Sequence, residues 1–295
     1  MMNNQVALLA PAKINLNLNI TGRRADGYHH LDSVAIFASL ADHLTITLAD
    51  QDSVTITGAI AAELDHMDTS LHVARDMFRA RSGWHQPLQI ALEKNIPIAA
   101  GLGGGSSDAA AVLHGMAQLS GWKDDNQMMD MALSIGADVP ALMMSRQTTM
   151  LRMQGIGEVL TPLSDAEAKS LGILLVNPGV SVSTAAVFQA LRGQGFTPAP
   201  EHQPPLTEIN FSAQIARGND MTSAAISLAP EIETTLSALG ECSAENHGYG
   251  AAMSGSGATC FAIFPTVSRA EQARSNLTAY MPDDQFWCWA GGLIR

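Results

Sequence analysis

The sequence predicts an α+β chain in two mixed halves, on three observations. Short runs alternate between apolar and polar residues, as strands that bury one face do, and longer Ala- and Leu-rich stretches follow them as helices. The 295 residues suffice for two cores, and 46% hydrophobic with 15% charged residues is the balance of a folded chain rather than a disordered one. A polar, small-residue stretch, "LSDAEAKSLG", separates the halves and gives expected domains 1–164 and 165–295.

In the first half, Ile14, Leu16, Leu18 and Ile20 alternate with Lys13, Asn15, Asn17 and Asn19. This predicts a half-buried strand over 11–20 with all four polar side chains on one face. Asp26-Gly27 marks a turn. "HLTITL" and "SVTITG" alternate around Asp50–Asp52 and predict a hairpin. Residues 70–83 read as a helix and 88–97 as a further alternating strand. A helix starts near Ser106 or Ser107, and another covers 125–135 and ends at "GADVP", beside a proline that closes it. Strands flank the turn Gly155–Gly157 within 148–161.

In the second half, "GILLVNPG" reads as a buried strand and "VSTAAVFQALR" as a helix. Four prolines make 193–206 a surface loop. Two helical segments over 219–239, the strand "ATCFAIF", a helix over 268–280 and the strand "FWCWAGGLI" complete the chain.

The formal charge of −12 repels nucleic acid and anionic membranes, so neither is an expected partner. No apolar run approaches the ~18 residues of a membrane span, and the start lacks the pattern of a secretory signal. Three widely spaced cysteines fit neither a disulfide framework nor a zinc site, and free thiols in the cytoplasm are expected. A monomer and a homodimer are both compatible with this composition.

The most informative stretch is "IAAGLGGGSSDAAAV", residues 98–112. Glycines before a helix let backbone N–H groups approach an anion, and the helix terminus adds partial positive charge. Yet no lysine lies between Lys94 and Lys123, so the Walker pattern fails. The dinucleotide pattern fails too, because Ser106 stands where the third glycine belongs.

Together with "PAKINLNLNITGRRADGYHHLDS", "GADVP", "GIGE", "VNPGVSVST", "GND" and "SGSGATCF", this loop resembles the GHMP kinase superfamily. That family's second motif has the form P-x-x-x-G-L-G-x-S-S-x-A, and here it carries one extra glycine. The resemblance implies an N-terminal domain like the second domain of ribosomal protein S5 and a ferredoxin-like C-terminal domain. It implies ATP and Mg2+ as cofactors. "PAKINL" followed by "RADGYH" resembles the branch that phosphorylates the 2-hydroxyl of the methylerythritol unit in a cytidine diphosphate polyol, a small-molecule substrate of non-mevalonate isoprenoid synthesis.

By the same resemblance, Pro97, Ile98, Ala99, Ala100, Gly101, Leu102, Gly103, Gly104, Gly105, Ser106 and Ser107 form the ATP phosphate loop. Lys13 and Asp138 are the catalytic pair, with Asp138 accepting the hydroxyl proton. Asn15 holds the polyol, Tyr28 and His29 contact the cytidine, and Pro178 lines that pocket. Ser107 is a candidate magnesium ligand. Two rivals stay open at this point: a GHMP kinase for mevalonate, homoserine or a sugar, and a nucleotide-binding sensor without catalysis.

Overall fold

The computed structural model describes residues 4–60, 69–163, 167–191, 195–198, 209–281 and 286–294. The chain begins β1 (Gln5–Asn15), β2 (Asn19–Arg23), β3 (His29–Leu48), β4 (Ser53–Thr57), α1 (Thr69–Ser82) and β5 (Leu88–Glu93). It continues with α2 (Gly104–Ser120), α3 (Asp125–Ile135), α4 (Val139–Met143), β6 (Met150–Gly155), β7 (Val159–Pro162) and β8 (Gly172–Asn177). Then come α5 (Thr184–Ala190), α6 (Phe211–Ala216), α7 (Thr222–Leu228), α8 (Glu231–Glu245), β9 (Gly250–Met253), β10 (Cys260–Phe264), α9 (Val267–Asn276) and β11 (Trp287–Gly291). Two compact units result, each drawn from several stretches. The first takes Met1–Ala12, Leu40–Ile98 and Gly103–Gln147, and the second Lys13–Ser39, Ala99–Leu102 and Thr148–Arg295.

In the first unit, β5 lies between β3 and β4, antiparallel to β3 (Leu48 opposite Leu88) and parallel to β4 (Ser53 opposite Gln89). The hairpin expected of 43–48 and 53–58 therefore does not form. Asp52 explains why. Its carboxylate accepts the Leu88 N–H at 2.8 Å and both terminal nitrogens of Arg79 at 2.6 and 2.8 Å, which fastens the turn after β3 to the start of β5. Along β5, Leu88, Ile90 and Leu92 are buried and Gln89, Ala91 and Glu93 exposed, as the alternation requires. Helix α2 packs against α1, and it meets the apolar side chains of the sheet at Gly115, where a Cβ would stand 2.6 Å from Ile46 Cδ1. A larger residue there would lift the helix.

The fork of hydrogen bonds from Arg79 holds the Asp52 carboxyl well below the usual carboxylate range, with burial opposing it. A depressed native value means that the stabilisation is present above the unfolded value near 4 and is lost as pH falls below it. We expect Asp52→Asn to lower the melting temperature at pH 6 and to lose that difference progressively below pH ~4. The carboxylate is 37% exposed, so the effect stays within about 1 kcal/mol. A difference independent of pH, measured by thermal unfolding, would rule out the charge as its source.

In the second unit, the strand expected over 11–20 breaks: β1 stops at Asn15 and β2 resumes at Asn19. Nor is it half-buried, since Lys13, Asn15, Asn17 and Asn19 are all within 2% of full burial. The asparagines stand in for a neighbouring strand. Asn17 Oδ1 accepts the Val34 N–H at 2.9 Å, and its amide donates to Asp32 O at 3.0 Å. Strand β3, expected only over 43–48, begins at His29. Here it pairs antiparallel with β2 (Asn19 opposite Asp32) and β6 (Leu31 opposite Gly155), and β6 pairs with β7 across the expected turn.

The rest of this unit is an antiparallel sheet of order β11-β8-β10-β9. Helix α8 packs on β10 and α9 on β8 around Leu174, Val176, Ile232, Leu239, Cys260 and Phe264. Numbered from β8, that order is 4-1-3-2 with helices in both crossovers, the ferredoxin-like arrangement expected. Helix α6 and strand β9 are additions to the sequence reading. Most of the proline-rich loop expected over 193–206 lies outside the described residues. The three cysteines are free thiols, and burial pushes that of Cys242 up to about 11. Among the described residues, no helix is long and apolar enough to cross a membrane.

Candidate active site

The glycine loop opens α2 two or three residues earlier than expected, at Gly104. Its backbone takes positive φ at Ala99 (51°), Gly101 (73°) and Gly103 (68°), and Gly103 is the N-cap. The N–H groups of Gly104, Gly105 and Ser106 have no carbonyl one turn earlier in the helix, and a glycine cap has no side chain to offer them. Ser107 already bonds Gly103 O at 2.8 Å. The loop is thus a row of donors at the positive end of a 17-residue helix. Ala100 and Leu102 are buried and anchor it, whereas Ala99 and Gly105 face outward.

Within the second unit, residues 99–102 are held from two sides. Lys13 N–H donates to Leu102 O at 2.8 Å, and Thr259 N–H to Ala100 O at 3.2 Å. The Ser254 hydroxyl donates to Gly101 O at 3.0 Å. Gly101 must lack a side chain: a Cβ would stand 2.3 Å from Ser254 O and 2.8 Å from Gly257 O. The small residues 254–257 are there to let two backbones touch. Asn219, from "GND", fixes their far side by donating to Met253 O and Gly255 O at 2.9 and 2.8 Å.

Lys13 and Asn15 meet. Lys13 Nζ donates to Asn15 Oδ1 at 2.9 Å, and the Asn15 amide donates to Ser33 Oγ at 2.8 Å. A lysine kept for solubility would lie in water; this one is 2% exposed. Asp138 is half-buried and is the N-cap of α4. Pro140 belongs to the first turn of that helix, so it opens α4 rather than closing α3, a correction to the sequence reading. The Asp138 carboxylate does not cap the helix, so its position is not explained by helix termination.

After the turn at Asp26-Gly27, Tyr28 is 57% exposed, and the His29 imidazole stacks on Phe188 with centroids 4.9 Å apart and planes 15° apart. Burial, and then the Arg23 charge, lower the His29 pKa below its ordinary value, leaving a neutral ring at pH 7 that can both donate and accept. The strand behind it is held by Asp32, whose carboxylate accepts from Arg152 Nε at 2.7 Å and from Arg217 Nη2. Pro178 is half-buried at the end of β8, between Asn177 and Gly179, which are themselves bonded at 2.9 Å. Ser33 and Phe188 escaped the sequence reading, and Asn219, quoted within "GND", had no role assigned: each is an ordinary strand, helix or loop residue until the fold gives it a neighbour.

Comparison with known proteins agrees with this geometry. Residues 68–146 match the GHMP kinases N terminal domain and residues 207–283 the GHMP kinases C terminal family. The 4-diphosphocytidyl-2-C-methyl-D-erythritol kinase of Mesorhizobium japonicum is 45% identical over 93% of this chain and 92% of its own. That of Paracoccus denitrificans is 40% identical over 96% and 95%. A crystal structure of 4-(cytidine 5'-diphospho)-2C-methyl-D-erythritol kinase superposes with a TM-score of 0.74 at 31% identity, covering 98% of this chain and 99% of that one. The homoserine kinase of Cytophaga hutchinsonii shares the fold at TM-score 0.69 and 15% identity, over 99% and 95% of the two chains. With its glycine loop and both GHMP domains in place, the chain belongs to the 4-diphosphocytidyl-2-C-methyl-D-erythritol kinase family of GHMP kinases.

Proposed function

We propose that this chain transfers the γ-phosphoryl group of ATP to the 2-hydroxyl of 4-diphosphocytidyl-2-C-methyl-D-erythritol, on the non-mevalonate route to isoprenoid precursors. The observation that carries the nucleotide part is the row of backbone donors opening α2. The substrate part is supported by the relatives named for it.

In this reading Pro97–Ser107 cradles the phosphates, and backbone N–H groups with the helix terminus replace the lysine of a Walker loop. Asp138 accepts the proton of the attacking hydroxyl, and Lys13 steadies the oxygen as charge builds on it. Asn15, its carbonyl engaged by Lys13 and one amide N–H by Ser33, orients the polyol through its second amide N–H. Tyr28 stacks on the cytosine, His29 bonds its polar edge, and Pro178 borders the ring.

Among the described residues, no group of three or more His, Cys, Asp or Glu could hold a metal ion. The hydroxyl of Ser107 is a hard oxygen donor at the helix start, which fits magnesium held mainly by phosphates and water. When bound, magnesium neutralises phosphate charge. A cytoplasmic location and a monomeric or homodimeric state complete the proposal.

Phosphorus NMR tests it. With magnesium-ATP and the cytidylyl substrate we expect a new phosphomonoester signal, and none with mevalonate or homoserine. ATP binding without transfer to any alcohol would leave a sensor, and transfer to mevalonate or homoserine would mean a different GHMP kinase. Tyr28→Ala should raise KM for the cytidylyl substrate by about 5- to 100-fold, the worth of one stacked base, and move KM for ATP much less. Equal changes in both would take Tyr28 out of the cytidine pocket.

A further inference from the structure

Lys94, absent from the loop by sequence, lies against it in the fold. It follows β5, and its side chain is 4% exposed. The ammonium donates to Asp42 Oδ2 at 2.5 Å and to Asp108 Oδ2 at 2.6 Å, and both carboxylates are fully buried. Asp42 comes from β3 and Asp108 from the opening of α2. Asp42 Oδ1 also accepts the N–H groups of Asn95 and Ile96 at 2.6 and 2.8 Å, which fixes the chain entering the loop. A Cβ on Gly104 would stand 3.2 Å from Lys94 Nζ and 3.2 Å from Ile96 Cγ2, so the ammonium lies close beside the first residue of the helix.

One carboxylate would neutralise this ammonium, and apolar residues of the same size would fill the space with less desolvation. Two carboxylates on separate elements do something else: they join β3, the end of β5 and the start of α2 at a single atom. Burial lowers the Lys94 pKa, but the two carboxylates outweigh it and raise it, so the junction stays charged.

We infer that Lys94, Asp42 and Asp108 are positioning residues for phosphoryl transfer: they fix the rotation and advance of α2 so that the Gly104, Gly105 and Ser106 N–H groups aim at the ATP phosphates. This rests on the reading of the loop as the nucleotide site. None of the three touches a reacting atom; they act through the helix terminus. A cluster that served stability alone would set how much enzyme is folded, and so Vmax, without altering the KM of the folded fraction.

The test compares wild type, Lys94→Met and Asp108→Asn in steady-state kinetics with ATP and the cytidylyl substrate varied separately, alongside thermal unfolding. Asp108→Asn keeps the shape and an oxygen for Lys94, and serves if Lys94→Met does not fold. We expect KM for ATP to rise ~10-fold in the folded variants, with KM for the cytidylyl substrate within about twofold of wild type. Lowered Vmax or melting temperature at an unchanged KM for ATP would overturn the inference. If wild type itself shows no saturation by ATP, the nucleotide reading falls first and takes this one with it, and that outcome is visible before any variant is made.

Discussion

Asp138→Asn is expected to cut turnover by ~10²–10⁴ while the dissociation constant for ATP stays within about twofold. The amide matches the carboxylate in shape but has no basic oxygen to take a hydroxyl proton. The usual complication in such a substitution is loss of a helix cap, and here it does not arise. The Asp138 side chain makes no capping bond, and Pro140 sets the backbone of the first turn of α4 without it. Thermal unfolding of the same variant reads any other contact that Asp138 makes, which separates chemistry from folding. ADP release measured under saturating substrates, with calorimetric titration of ATP, checks both halves. Turnover within tenfold of wild type would remove Asp138 from the role of base.

Gly101→Ala should be strongly destabilising for a single added methyl group. At φ of 73° an alanine costs ~1–2 kcal/mol from backbone strain alone. Its Cβ would then overlap Ser254 O and Gly257 O, both backbone atoms that cannot rotate away. Overpacking of this kind adds ~1–3 kcal/mol, so the total is roughly 2–5 kcal/mol. Gly121 provides the control. It has a φ of 75° and nothing within 4 Å of the added Cβ, so Gly121→Ala should cost only the strain, about 1–2 kcal/mol. Denaturant unfolding of both variants gives the two numbers. Equal losses would mean that the contact between residues 101 and 254–257 is not tight. We also expect Gly101→Ala to weaken ATP binding, because a displaced carbonyl at 101 moves the donors that follow it.

What the sequence made legible follows from which surfaces meet water. Strand β5 has one wet face, and its alternation is visible residue by residue; α3 has one as well, and its limits were predicted to the residue. The segment Val34–Ala38 of β3 is buried on both faces, so its apolar run carries no period and gives no strand signal. The asparagines of 15–19 misled for a related reason. Polar residues usually mark a wet face, but these are spent on backbone groups inside the protein. The insertion of β5 between β3 and β4 depends on Asp52 reaching Arg79 and Leu88, which no local pattern announces.

The site divides along the same line. Its loop, Lys13, Asp138 and the Tyr28-His29 pair could be proposed from the sequence because their motifs follow one another in a distinctive order along the chain. Phe188 could not, since it is brought to the site only by lying on His29, and Asn219, visible within "GND", had no role until the carbonyls it reaches were known.

The course of β3 has a consequence for how this chain can be divided. One unbroken run of 20 residues gives its first part to one unit and its last part to the other, and β1 does the same over a shorter length. Neither unit is therefore a cassette. A gene fragment beginning at 165 would lack β2, the first part of β3, β6 and β7, and a fragment ending at 164 would strand those same segments without the rest of their unit. Recombination between relatives would have to exchange several separated segments at once. Each unit is expected to fold only when all of its separated segments are present in one chain.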